Sequence, residues 1–128
     1  MRKFQRKQIK TTKAPRILGP VSQGIRGGNL IFVAAGPTDP KGKILKDDFE
    51  QAVKQTLKNV KAILEAGGSL MEKIMRVDVY LQNMEDIEKF NKIYTKYVPQ
   101  PYPVRSVSQP ARTPKDHPLG MVVTALAD

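Results

Sequence analysis

The clearest apolar run in the chain is NLIFVAAG, from Asn29 to Gly36, rich in branched and aromatic residues and preceded by the turn pair Gly27-Gly28. Its length and continuity predict a strand buried on both faces. The following PTDPKGK is dense in proline, glycine and aspartate and reads as a loop. The period then changes. Between Asp47 and Ala66, residues Phe49, Ala52, Val53, Leu57, Val60, Ile63 and Leu64 recur at spacings of three and four, the signature of one helical stripe. Asp47 and Glu50 suit a capping box at the start of this helix, and Gly67-Gly68 suit a left-handed stop at its end.

KIMRVDVYLQN alternates instead, which predicts a strand with Met75, Val77, Val79 and Leu81 on one face and Ile74, Arg76, Asp78 and Tyr80 on the other. A second helix is expected from near Asn83, with Glu85, Asp86 and Glu88 placed favourably at the positive end of its dipole. It would bury Ile87, Phe90, Asn91, Tyr94 and Tyr97 and stop at Pro99. Residues 104 to 109 form a further strand, ARTPKDHP a loop, and LGMVVTALA (Leu119 to Ala127) a last, largely buried strand. Two N-terminal strands are expected around residues 8 to 12 and 21 to 25. The order is that of a mixed α/β (α+β) domain spanning residues 1–128, without internal repeats. Two helices can cover one face of such a sheet, so the other face is expected to meet a partner chain.

Composition removes several classes of function. A chain of 128 residues is long enough for one core-bearing domain. It contains no apolar run of membrane-spanning length and no secretory signal pattern, so a soluble, cytoplasmic protein is expected. With no cysteine and a single histidine, His117, neither a metal site nor a cofactor is predicted, and thiol catalysis is excluded. The net charge of +10 is concentrated early: Arg2, Lys3, Arg6, Lys7, Lys10, Lys13, Arg16 and Arg26 all precede Asp39, the first acid. This basic N-terminal segment, residues 1–13 above all, could attract nucleic acid by counterion release. Phe4 is its only aromatic residue, however, which leaves little for base stacking and favours a solvated basic edge. His117, beside Asp116 in a proline-flanked loop, reads as a surface residue without a role.

The candidate chemistry lies in YPVRSVSQPARTPKDHP, from Tyr102 to Pro118. Arg105 sits on a short strand between small and apolar neighbours, and after Val98 the only acids are Asp116 and Asp128. A guanidinium is always charged and presents a planar fork that can grip a carboxylate through two parallel hydrogen bonds. Arg105 therefore either pairs with Asp78, Asp116 or an acid of another subunit, or binds a ligand.

APRILGPVSQGI (Ala14 to Ile25), NLIFVAAG, QTLKNVKAILEAGG, VDVYLQNMEDIEKFNKIYTKYV and PVRSVSQPARTPKD together resemble the YjgF/RidA family, which includes the RutC proteins, over nearly the whole chain. The resemblance implies a chorismate-mutase-like fold assembled as a homotrimer with a barrel-like core and a ligand cleft at each subunit interface. It implies hydrolysis of reactive enamines and imines, such as 2-aminoacrylate or 2-iminobutanoate, to 2-oxo acids and ammonia, and it includes members described as translation inhibitors or ribonucleases. Arg105 matches the arginine that binds the substrate carboxylate, and Asn91 a pocket position. Gly36, or Ala35 if the register slips by one, matches the small residue after the first long strand, where backbone can approach a ligand. Ser106 flanks the arginine.

Three departures stand out. Val21 follows Gly19-Pro20 where an aromatic residue is common, so a pocket hydroxyl is lost unless Ser22 supplies it. Val107 replaces a frequent cysteine. Gly120 or Val122 stands where active deaminases carry a glutamate that holds the attacking water, and no glutamate follows Glu88. A pocket lined by Val21, Val107 and Val122 is expected to be more apolar, and a non-catalytic module binding small carboxylates is the alternative to a deaminase. Nucleic-acid binding through the basic segment is the third reading.

Overall fold

The computed structural model describes residues 5–127; Arg2, Lys3 and Phe4 of the basic segment, and Asp128, lie outside the described residues. The chain runs through β1 (Arg6–Ile9), β2 (Gly24–Gly27), β3 (Leu30–Ala35), α1 (Phe49–Ala66), β4 (Ile74–Leu81), α2 (Ile87–Tyr97), β5 (Val104–Ser108) and β6 (Leu119–Leu126). The strands form one sheet in the order β1-β2-β3-β6-β4-β5, in which β4 and β5 are parallel and the other neighbours antiparallel. The architecture is mixed α+β, with α1 packed on β3 and β6 and α2 lying beside α1. No helix among the described residues is long and apolar enough to cross a membrane.

The helices form where the stripes predict them, with shifted starts. The side chain of Asp48, not Asp47, accepts from the Gln51 N–H at 3.3 Å and caps α1. After α1, Gly68 takes a φ of +89°, a conformation that a side chain would oppose. Near Asn83 the chain forms a 3-10 turn over Met84–Asp86, capped by Asn83 accepting from Glu85 N–H at 3.0 Å, and α2 begins only at Ile87. Its buried residues are Phe90, Ile93 and Tyr94, with Asn91 half-buried.

On the helix-covered side of the sheet, Ile31, Val33, Val77, Val79, Leu81, Leu119, Met121, Val123 and Ala125 are each 2% exposed or less. Each larger side chain removed from water in this way contributes about 1.5–3 kcal/mol. Two expectations change here. Strand β3 buries one face, not two, because Phe32 and Ala34 alternate out to the helix-free side. In β4 a register shift between Ile74 and Arg76 inverts the parity at the strand's start, so that Ile74 is buried and Met75 exposed. The two N-terminal strands form, overlapping the expected ranges but displaced from them, at Arg6–Ile9 and Gly24–Gly27.

Candidate functional site

Strand β5 is an edge of the sheet, and its pairing sets the direction of each of its side chains. Arg105 pairs with Val77 and Val107 with Val79, both on the helix-covered face, whereas Ser106 pairs with Asp78 on the open face. Arg105 therefore rises toward α2, where residues one and four positions apart on the helix meet it. Its Nη1 donates to Asn91 Oδ1 at 2.8 Å, and its guanidinium carbon lies 5.0 Å from the Tyr94 ring centroid and 5.8 Å from that of Phe90. The two rings are themselves in contact, 5.5 Å between centroids.

This cradle orients the guanidinium without neutralising it. Exposed cation–ring contacts contribute about 0.5–1 kcal/mol and a hydrogen bond to a charged group about 1.5–3 kcal/mol. Neither supplies a counter-charge. Among the described residues no carboxylate pairs with Arg105. Asp78 is engaged on the open face with Arg76, Nε to Oδ2 at 3.1 Å, and with the Ser106 hydroxyl. The Ser106 hydrogen bond, helped by Arg76 and opposed by desolvation, holds the Asp78 carboxyl below its ordinary range. Asp116 is exposed, in the loop before β6. The hydroxyl of the same Tyr94 is buried without a hydrogen-bond partner among the described residues. Burial pushes its pKa up, with the Arg105 charge pulling the other way.

The other residues singled out from the sequence separate into groups. Val107 returns to the covered face and packs against the core, as does Ala35 at the end of β3. Gly36 follows Ala35, and its carbonyl accepts from Asn59 Nδ2 at 3.0 Å; the same buried amide also donates to Thr38 O at 2.7 Å. That single side chain fixes the loop leaving β3. Ser106 and Val122 sit on the open face, both opposite Asp78. Val21 is exposed, ahead of β2, in a concavity of about 640 Å³ shared with Lys10, Arg16, Ser22 and Gln23, and β3, β6 and β4 separate β2 from β5. The chain thus gathers Arg105 and Asn91, and leaves Val21, Ser106 and Val122 apart from them.

The pairing of β6 places Gly120 opposite Tyr80, and Met121 opposite both Ala35 and Val79. A Cβ at Gly120 would meet only the Ala35 carbonyl oxygen, at 3.9 Å, so there is open room where a side chain is missing. His117 is not the surface residue expected. It is half-buried, with Nε2 enclosed and without a partner, and Nδ1 lies 3.5 Å from where a Gly36 Cβ would stand. Burial, reinforced by the charges of Lys115 and Lys46, lowers its pKa below the ordinary 6.5. The role of Phe90 and Tyr94 as a platform for Arg105 was not foreseen, although their spacing around Asn91 carried the signal. His117 gave no such signal, because its position follows from a turn whose backbone no pattern announces.

A mixed sheet with two helices on one face, carrying an arginine held by an amide and two aromatic rings but by no carboxylate, is the architecture of a small α+β protein with an anion-ready edge. The chain belongs to the endoribonuclease L-PSP family, the YjgF/RidA/RutC group, whose family model matches residues 11–127. It is 43% identical over 110 residues to a RutC family protein of Pyrococcus horikoshii, covering 84% of this chain and 87% of that protein. It is 33% identical to the 2-iminobutanoate/2-iminopropanoate deaminase of Salmonella typhimurium, covering 86% of this chain and 89% of the enzyme. Among solved structures, E. coli TdcF with bound serine superposes with a TM-score of 0.88 at 32% identity, over 95% of this chain and 99% of that one.

Proposed function

We propose that the protein hydrolyses small 2-imino acids and their enamine tautomers to 2-oxo acids and ammonia, with Arg105 gripping the substrate carboxylate. The observation that carries this reading is the oriented but uncompensated guanidinium: Asn91 and the two rings fix its plane, and among the described residues its remaining N–H groups have no hydrogen-bond partner. A planar carboxylate is the complement of that fork. Deaminase activity in a relative of similar length supports the reaction class.

The reaction needs little beyond positioning. A protonated imine is already electrophilic, so holding its carboxylate fixes the imine carbon against a water and converts a bimolecular step into a local one. A carboxylate that orients the water adds typically 10² to 10⁴-fold, and with Gly120 or Val122 at that place on β6 this chain forgoes it. Turnover is accordingly slower than in relatives that keep the glutamate. Because Val21 and Arg105 lie far apart in one chain, the cleft is completed between copies, and the apolar open face of the sheet supports assembly as a homotrimer.

The absence of any glutamate after Glu88 favours one alternative, a module that binds a small carboxylate without chemistry. Of the described basic segment, Arg6 to Ile9 form β1 with Arg6 and Lys7 exposed, and nucleic-acid binding stays the third reading. The deciding experiment generates 2-iminobutanoate with an auxiliary enzyme and follows its decay with the parent protein and with Arg105→Ala. Acceleration that the substitution removes supports the deaminase. Binding of 2-oxobutanoate without acceleration supports the module instead.

A further inference from the structure

The loop before β6 holds a ring in place and makes no visible use of it. Lys115 and Asp116 both take left-handed backbone angles, φ +51° and +55°, a conformation that costs non-glycine residues about 1–2 kcal/mol each. The turn they make closes with the His117 N–H donating to the Pro114 carbonyl at 3.0 Å. What this strained turn delivers is an imidazole with no hydrogen bond among the described residues: Nε2 is sealed and unpartnered, while Nδ1 is not among the sealed atoms. Native chains rarely leave buried polar groups unmatched unless the site has another use.

Nδ1 opens on a backbone strip at the end of β3. Gly36 borders Nδ1, and Ala35, the residue before it, offers its carbonyl to the empty place beside Gly120. Either glycine replaced by a larger residue would fill that strip. The charged groups facing the ring are Lys46, from the loop after β3, and Lys115, from its own loop; Asp116 is the adjacent acid and is exposed. Burial and the two lysines keep the imidazole neutral at pH 7, as a proton acceptor must be.

We propose that Nδ1 of His117 is the base that takes the water proton during imine hydrolysis, the task for which this chain has no carboxylate; the inference rests on the hydrolase reading above. With its proton on Nε2, the neutral ring turns a lone pair toward the strip. The water oxygen bonds to the imine carbon, the C=N π pair moves onto nitrogen, and the water proton passes to Nδ1. The imidazolium then returns that proton to the amino nitrogen of the carbinolamine. The C–N bond breaks, the carbonyl forms, and ammonia leaves carrying the hydroxyl proton as ammonium.

Arg105 and His117 of one chain cannot serve the same molecule. The row of Arg105 runs through Val77 to Val123, three residues from Gly120 on β6. That places Gly120 roughly 10 Å from the Arg105 row across the sheet and about 10 Å along it, and His117, which precedes β6 and borders Gly36 at the end of β3, lies beyond Gly120. A 2-imino acid has its imine carbon one bond from its carboxylate, so the arginine comes from one copy and the histidine from its neighbour.

His117 is the chain's one histidine, so its imidazole resonances can be read without assignment. Three measurements test the proposal together. The pH dependence of 2-iminobutanoate decay is compared for the parent, His117→Gln and Gly36→Ala, the last leaving the ring in place with a methyl 3.5 Å from Nδ1. The expected result is a loss of about 10²-fold in His117→Gln, with disappearance of the acid limb, and a smaller loss in Gly36→Ala. Co-expressed His117→Gln and Arg105→Ala chains should recover part of the rate, because mixed assemblies hold some intact sites. In NMR, saturating 2-oxobutanoate should shift the imidazole resonances of the parent but not those of Arg105→Ala. If Arg105→Ala abolishes hydrolysis while His117→Gln keeps the parent's rate and pH profile, and the oxo acid leaves the imidazole unmoved, the histidine has no part in it and the hydrolase reading stands alone. If the parent itself accelerates nothing, that reading fails and the inference falls with it.

Discussion

The two faces of one sheet, built from the same strands, have opposite fates. On the side under α1 and α2, alternate residues of β3, β4 and β6 are almost completely enclosed. On the other, Phe32, Tyr80, Val122 and Leu126 remain between 37% and 46% exposed. The first face makes the fold of the single chain. The second is apolar enough to be a liability in isolation, and we read it as the contact surface for further copies. Arg105 belongs to the covered face but stands on β5, where the cover runs out, and that position lets one charged group be both oriented by the fold and open to a ligand.

The largest effect that would sharpen this contrast is on the covered side. Leu57→Ala, at a fully buried position of α1, should lower unfolding free energy by about 2–5 kcal/mol in urea titrations. At the edge, Asn91→Ala removes the exposed hydrogen bond that holds the guanidinium plane and should weaken 2-oxobutanoate binding by about tenfold or more, with a smaller loss of stability than Leu57→Ala. A smaller, pH-dependent effect comes from His117. Its folded pKa is depressed, so the unfolded chain takes up the proton first; the associated stability is fully present above pH 6.5 and is lost as pH falls through the folded pKa. Thermal scans of the parent and His117→Gln should therefore converge as the pH drops below 6.5. Asp78 is depressed as well, so its contribution is present above its ordinary 3.8 and is lost as pH falls through its folded pKa, in a separate window. The smallest effect on the chain itself is expected on the open face. Phe32→Ser should change the stability of the isolated chain by no more than about 0.5 kcal/mol, yet light scattering should show it losing self-association that the parent retains.

The same contrast explains what could be read from the amino acids beforehand. Helical stripes such as Ala52, Val53, Leu57, Val60 and Ile63 were legible because their spacing and their burial share one cause. Apolar continuity in NLIFVAAG was not enough to locate its burial, since an apolar face left open looks, in one sequence, like a face covered by helices. The inversion at Ile74 and Met75 depends on a register shift in the β4–β6 pairing, which alternation alone does not encode. Arg105 stood out by its lack of local acids, and the structure adds what spacing on α2 only hinted at, two rings and an amide arranged around it. The position of His117 follows from two consecutive left-handed residues that are neither glycine nor asparagine, so the sequence carried no warning of it.

The central claim is that Arg105 lacks a protein carboxylate because it is kept for a ligand's. Calorimetric titration of 2-oxobutanoate into the parent and into Arg105→Lys tests it most directly, since lysine keeps the charge and loses the planar fork. The account predicts saturable binding to the parent and at least a tenfold weaker interaction with the lysine variant. Equal binding to both would contradict it.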